Sequence, residues 1–173
     1  MLPTIIFIRN NGTIACMIQQ CNENMWKLFV DGASRNNPGP SGAGIYILKN
    51  DILFIKCGYY LGVKTNNQAE YLALLLGLFI IKEYMNKADC IYIVSDSQLL
   101  VRQLMGIYKV RHPELYKLYI VCKEKINAMH ASITHVLREE NSEADAMANQ
   151  GIDNKLFPPK HYLSQLKQYD ISL

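Results

Sequence analysis

The chain has 173 residues, 50% of them hydrophobic, which is enough to bury an ordinary core within one domain. Its 18 basic and 15 acidic residues leave a net charge of +3, compatible with a nucleic-acid partner without arguing for one. The apolar run YLALLLGLFII at Tyr71–Ile81 is far short of the ~20 residues of a membrane span, and MLPTIIFIRN lacks the pattern of a signal peptide. A soluble, cytoplasmic protein with no membrane partner is therefore expected. The five cysteines (Cys16, Cys21, Cys57, Cys90, Cys122) are odd in number and form no CxxC pair. That disfavours zinc and disulfide frameworks and makes reduced thiols the expectation.

Along the chain, TIIFI and TIACMI flank Arg9-Asn10-Asn11-Gly12, and an Asn-Gly pair between β-branched runs predicts a hairpin. Residues 1–25 read as this N-terminal extension, residues 26–151 as the main domain and residues 152–173 as a tail packing on or near it. Strands are predicted at Trp26–Val30, Ala43–Leu48 and Leu53–Tyr60, the last two joined by the short turn Lys49-Asn50-Asp51. Asn67–Tyr84 is apolar on nearly all sides and predicts a buried helix, with Asn67 as its cap. A strand at Ile91–Ser95 precedes helices at Ser97–Leu104 and Pro113–Ile126, then a strand at Ser132–Leu137. A last helix at Asn141–Asn149 is closed by Gly151, and the patch HYLSQLKQY lies in the tail. The order β-β-β-α-β-α-α-β-α predicts an α/β fold, a mixed sheet flanked by helices.

Four acids carry the functional question. Taken singly, each has a structural reading. Asp31 opens the turn-rich stretch DGASRNNPGPSGAG, and Glu70 stands at capping spacing from Asn67. Asp96 precedes a helix, and Asp145 sits in the first turn after the cap Asn141. Taken together, Asp31 and Asp96 end two strands, where open α/β sheets gather their ligands, while Glu70 and Asp145 open helices beside them. Four converging carboxylates without a matched Arg or Lys nearby would repel one another. Divalent cations relieve that repulsion, and Mg²⁺ suits carboxylate and water ligation with positions open to a phosphate. Two such ions can serve phosphodiester hydrolysis.

The blocks VDGASRNNPGPSGAG, TNNQAEYLALLLGL, IVSDSQLLVRQL and REENSEADAMAN resemble, in order and spacing, the four signature blocks of type 1 ribonuclease H (the ribonuclease HI family). The resemblance runs from about Lys27 to Gly151. It implies a ribonuclease H-like fold with a five-stranded mixed sheet, three antiparallel strands followed by parallel ones, carrying the extra hairpin. It further implies an endonuclease that cleaves the RNA strand of RNA–DNA hybrids and leaves 5′-phosphate products. Two Mg²⁺ ions, with Mn²⁺ as a possible substitute, would be held by Asp31, Glu70, Asp96 and Asp145. Gly32, Ser34, Asn37, Asn66 and Gln98 match positions that contact the RNA strand and the minor-groove edges, with Thr65, Asn37 and Ser97 at a DNA phosphate.

Two departures from the pattern stand out. The interval LMGIYKVRHPELYKLYIVCKEKI lacks the basic handle of many cellular bacterial enzymes. It reads as a handle-less form resembling plant-type and archaeal-like members, with weaker, more salt-sensitive binding expected. No Gly- and His-bearing loop precedes Asp145. Arg138 or Glu139 is the candidate to take over that loop's work, ahead of His135, which alternation places on a packing face with Ile133 and Leu137. A monomer is expected, although the hairpin could form a dimer contact. The alternatives to a free-standing enzyme are the ribonuclease H domain of a retroelement polyprotein and a non-catalytic nucleic-acid-binding module of the same fold.

Overall fold

The computed structural model describes residues 6–10, 13–17 and 24–173, the first two segments as backbone only. Strands β1 (Ile6–Asn10) and β2 (Thr13–Met17) pair antiparallel, with Asn10 opposite Thr13, as a two-stranded sheet of their own. The hairpin expected there is present; its turn residues Asn11 and Gly12 lie outside the described residues.

The main sheet contains β3 (Met25–Ser34), β4 (Gly39–Lys49), β5 (Ile52–Lys64), β6 (Cys90–Ser95) and β7 (Ser132–His135) in the order β5-β4-β3-β6-β7. The pairings β5–β4 and β4–β3 are antiparallel, whereas β3–β6 and β6–β7 are parallel. This is the five-stranded mixed sheet expected. Side chains alternate across a strand. On β3, Trp26, Leu28 and Val30 are fully buried on one face, and that face is covered by α1 (Asn66–Tyr84). Helix α1 is buried continuously from Ala69 to Ile81, with α3 (Pro113–Ala128) packed against it. The opposite face carries α4 (Ser142–Asn154), which lies on β4 and β5. Between β6 and α3 runs the short α2 (Gln98–Leu104), and α5 (Lys160–Lys167) stacks Tyr162 on Phe79 of α1. Tyr162, Leu166 and Ile171 join the core, so the tail is part of the packed body.

The Gly- and Pro-rich stretch after Val30 is strand rather than loop. Asp31, Gly32, Ala33 and Ser34 pair with Gly44, Ala43, Gly42 and Ser41, and only residues 35–38 turn. The small residues serve close approach. A Cβ on Gly32 would stand 2.0 Å from Glu70 N, and one on Gly44 would stand 1.9 Å from Ala144 O. Helices α1 and α4 therefore press their first turns onto the middle of the β3–β4 ladder, from opposite faces.

Other boundaries differ from expectation for the same kind of reason. Helix α4 continues through Gly151 to Asn154 and is capped by left-handed Lys155, because Gly151 makes room for the Tyr59 backbone instead of ending the helix. Helix α1 is capped by Thr65 in a reciprocal box with Gln68, not by Asn67. Strand β7 stops at His135, short of Leu137, where the chain turns into a 3-10 segment at Arg138–Asn141. Cys57 and Cys122 are free thiols, but Cys90 is disulfide-bonded, correcting the expectation of reduced thiols throughout. An odd count and wide spacing say nothing about which thiols meet in space. No described helix is long and apolar enough to cross a membrane.

One buried carboxylate fastens the start of the sheet. Asp89 accepts from Trp26 Nε1 at 2.7 Å, from Asn24 N and Nδ2 at 3.1 Å each, and from Asn86 N at 3.0 Å. Burial alone would raise its pKa, but these donors outweigh it and hold the carboxyl below its ordinary range. Replacing Asp89 with Ala strands the indole N–H and frees the start of β3. The variant is expected to lose about 2–3 kcal/mol in urea unfolding, with an unchanged m-value; a loss under about 0.5 kcal/mol would deny Asp89 this role.

Candidate active site

Asp31, Glu70, Asp96 and Asp145 line one cavity of about 290 Å³ together with Gly32, Ala33, Ser34, Asn66, Arg138 and Asn149. The topology explains the convergence. β3 and β6 are parallel neighbours, so Asp31 near the end of one lies beside Asp96 just past the other. Asp31 pairs with Gly44 and shares its face, the face on which α4 brings Asp145. Gly32 lies on the other face, where the absence of a side chain admits the first turns of α1 and hence Glu70.

The electrostatics of the cavity are strained. Asp31 is 6% exposed, and its pKa is raised to about 7 by burial first, then by the charges of Asp96 and Asp145; Arg138 and the Gly32 N–H offset part of this. Glu70 is pushed well above the ordinary carboxylate range by burial, then by Asp31 and Asp96, against a hydrogen bond from the Gly32 N–H. Its Oε2 is buried and has no hydrogen-bond partner. Asp96 Oδ1 accepts from Asn141 Nδ2 at 2.7 Å, and the same amide donates to Val30 O at 2.9 Å. Asp145 is held from two sides, by Arg138 Nη2 at 2.7 Å on Oδ1 and by Asn149 Nδ2 at 3.3 Å on Oδ2. The expectation of four acids without a matched cation is thus corrected: Arg138 pairs with Asp145, although its side chain is 76% exposed.

Hard oxygen donors, mutual repulsion and an orphaned buried acceptor fit a divalent cation of the Mg²⁺ type. Among the described residues no three His, Cys, Asp or Glu side chains close on a common point as a preassembled metal centre. The carboxylates share a cavity that a cation would draw together.

Other residues singled out in the sequence take varied places. Gly32, Ser34 and Asn66 line the cavity. Ser34 Oγ donates to Lys64 O at 2.7 Å, and exposed Asn37 accepts from Asn66 N at 2.8 Å, tying the β3–β4 turn to the start of α1. The Thr65 and Ser97 hydroxyls cap α1 and α2, and Gln98 is exposed on the first turn of α2. His135 is exposed rather than packed, which corrects the alternation argument. Strand β7 is the edge strand of the sheet and ends at His135, whose Nε2 lies 3.2 Å from Asp96 O. Glu139 is exposed in the 3-10 segment, outside the cavity lining.

The sequence reading missed two amides. Asn141 stands at the cap position of α4, yet its side chain makes no cap bond and serves Asp96 instead. Asn149 lies four residues after Asp145 on one helix, a spacing that places the two side chains together and could have been noticed.

Comparison with known proteins gives a match to a family model described as reverse transcriptase-like over residues 29–151. Ribonuclease HI of Halobacterium salinarum is 35% identical over 143 residues, covering 82% of this chain and 71% of that protein. The bifunctional protein Rv2228c of Mycobacterium tuberculosis is 35% identical over 128 residues, 72% of this chain; the chain spans only 34% of its length. Among solved structures, RNase H1 from Halobacterium salinarum superposes with a TM-score of 0.71 at 36% identity, covering 75% of this chain and 98% of that one. LC11-RNase H1 from compost, solved in complex with an RNA/DNA hybrid, superposes at 0.68 with 30% identity, covering 76% and 98%. The matched model spans most of the chain, and its acid-bearing blocks meet in one cavity: the protein belongs to the type 1 ribonuclease H family, as a ribonuclease H hydrolase.

Proposed function

We propose that this enzyme hydrolyses the RNA strand of RNA–DNA hybrids endonucleolytically, leaving 5′-phosphate products, with Asp31, Glu70, Asp96 and Asp145 as its catalytic, metal-holding residues. The observation that carries the reading is the cavity itself. It gathers four carboxylates, two of them buried and raised in pKa, around an acceptor oxygen of Glu70 that nothing in the chain satisfies. Two Mg²⁺ ions, or Mn²⁺ in their place, would be held there, and when bound they supply activation of water and stabilisation of the leaving oxygen.

The chain's own residues do the rest. Gly32, Ser34 and Asn66 border the acids and, with Asn37 and Gln98, face the RNA strand, where a 2′-hydroxyl separates RNA from DNA. Asn37, Thr65 and Ser97 face a DNA-strand phosphate. Asn141 fixes Asp96 and Asn149 fixes Asp145, so that two carboxylates are oriented before substrate arrives. Arg138 is the auxiliary residue in contact with an acid, whereas Glu139 and His135 stay at the margin. In this reading the enzyme works as a cytoplasmic monomer, with residues 26–151 as its catalytic domain.

A labelled hybrid is expected to be cut in Mg²⁺ or Mn²⁺ and left intact in EDTA, with only the RNA strand nicked. Asp31→Asn is expected to abolish cleavage while the metal-free protein melts no earlier than the parent, because one repelling charge is gone. No cutting at any concentration of either metal would favour a binding module; unfolding of Asp31→Asn would make Asp31 structural.

The raised pKa of Asp31 sets a pH dependence. The folded state holds a proton that the unfolded chain releases above about pH 4, so the metal-free protein is most stable at low pH on this account. It loses that contribution as pH rises through about 7, by up to roughly 4 kcal/mol. Chemical denaturation between pH 4 and 8 is expected to show the decline in EDTA and its attenuation in Mg²⁺. A flat profile in EDTA would contradict the assigned crowding. For His135→Ala, a loss of less than tenfold in turnover, about 1.4 kcal/mol, is expected in single-turnover assays; a thousandfold loss would place proton transfer on His135.

A further inference from the structure

Strand β5 forms one edge of the main sheet, and its two halves are treated differently. The C-terminal tail covers the second half: Tyr60 N donates to Leu156 O at 2.7 Å, and the Phe157 ring meets Tyr60 edge-on at 5.3 Å. The first half lies open. Ile52, Leu53 and Phe54 are 73%, 53% and 37% exposed, and Tyr84 at the end of α1 is 51% exposed. Phe54 stands edge-on between Trp26 and Tyr84, at 5.0 and 5.1 Å, so this surface is continuous with the core. An apolar stretch of edge strand is a template for further pairing, and folded proteins ordinarily cover it.

The N-terminal chain leaves the domain beside this surface. Asn50 N donates to Met25 O at 2.8 Å and Asn50 Nδ2 to Asn24 Oδ1 at 3.1 Å, two residues before Ile52. The Asn24 carbonyl in turn accepts from Cys90 N at 2.9 Å. The six residues between Met17 and Asn24 span at most about 25 Å. The hairpin needs cover, because two strands alone are marginally stable in water and IFIRN and TIACM are mostly apolar. A second, independent observation involves sulfur. Cys90 is disulfide-bonded, whereas Cys57 and Cys122 are free thiols. Of the five cysteines, Cys16 and Cys21 remain as partners within the chain, and both belong to the N-terminal extension.

We propose that the β1–β2 hairpin folds back onto the base of its own domain, seated on residues 52–54 and Tyr84 and tethered to Cys90 by a disulfide from Cys16 or Cys21. The competing occupant is a second copy pairing on β5; the short connection to Asn24 and the bond at Cys90 favour the hairpin. Closing the tether joins two sulfurs. The two thiol protons and two electrons pass to a disulfide oxidant of the glutathione type, which leaves as two thiols. Reducing surroundings keep the tether open and oxidising ones close it, so the brace follows redox state. The seat lies at the starts of β3 and β6, whereas the acids stand at their ends; Met25 and Asp31 are about 20 Å apart along β3. The hairpin therefore steadies the sheet without entering the cavity, and the inference stands apart from the hydrolase reading.

The test uses the full chain. Protein incubated with oxidised glutathione is treated with N-ethylmaleimide, separated by non-reducing electrophoresis and digested with trypsin without reduction. The monomer is expected to yield residues 10–27, which carry Cys16 and Cys21, joined to residues 88–102, which carry Cys90. Cys90 recovered as an alkylated thiol, as a glutathione adduct, joined to Cys57 or Cys122, or joined only in a dimer overturns the tether. Hydrogen exchange tests the seat. Early deuterium uptake over residues 52–56 is expected to rise at least about threefold when dithiothreitol opens the tether, with uptake over α4 unchanged. The melting temperature is expected to fall by about 5 °C or more on reduction. Cys90→Ser should melt like the reduced parent under either condition. Equal uptake over residues 52–56 in both states, or a Cys90→Ser variant that still melts higher when oxidised, overturns the proposal. Each of these outcomes leaves the hydrolase reading to be judged by hybrid cleavage.

Discussion

The structure depends on a repulsion. Two carboxylates, Asp31 and Glu70, are withdrawn from water within reach of two others, and the fold offers them little: one backbone N–H from Gly32 and an exposed guanidinium. A buried acid beside other acids is held in its charged form only by a compensating cation, and here the chain leaves most of that compensation undone. A stability-driven arrangement would satisfy Glu70 Oε2, as it satisfies Asp89 with four donors at the other end of the same sheet. The contrast between those two carboxylates, one over-supplied and one abandoned, is the physical ground for proposing a functional role for Glu70 and a structural one for Asp89.

Bringing four acids together requires the backbones that carry them to be unusually close. Helix α1 approaches β3 at Gly32, and α4 approaches β4 and β5 at Gly44 and Gly58, at separations where a methyl group would overlap main-chain atoms. The hydrophobic face Trp26, Leu28 and Val30 holds α1 in place, so that Glu70 is set by a helix locked along its whole buried length. Core packing thus sets where the acids stand: the continuously buried length of α1 fixes Glu70 against β3.

Much of this was legible in the amino-acid sequence because periodicity and motif spacing report local rules. The continuous apolar pattern of Asn67–Tyr84 and the β-branched run Ile91–Ser95 gave elements of the right type. The ordered blocks around Asp31, Glu70, Asp96 and Asp145 identified residues that the fold brings to one cavity. What was illegible depended on partners distant in sequence. Gly32, Gly42 and Gly151 look like turn or stop signals until the backbones they admit are known, so the pattern reads strand as loop and ends α4 early. His135 alternates as a packing residue would, but it stands at the end of the edge strand and stays exposed. Asn141 occupies a cap position while its amide serves Asp96 and Val30, some 45 and 111 residues away in the chain.

The choice of supporting groups around the acids follows from magnitudes. Asn141 and Asn149 fix carboxylate oxygens with neutral amides, giving orientation worth about 1 kcal/mol each while leaving the negative charge intact. A buried Lys or Arg in either place would orient as well but would neutralise the site. Its desolvated pairing would then compete with a divalent cation for the same oxygens. The one cation present, Arg138, is three-quarters exposed, and an exposed pair contributes at most about 1 kcal/mol. It can therefore steady Asp145 and still yield that oxygen to a divalent ion. Amides inside and arginine at the rim are the arrangement expected of a cavity whose charge must remain available.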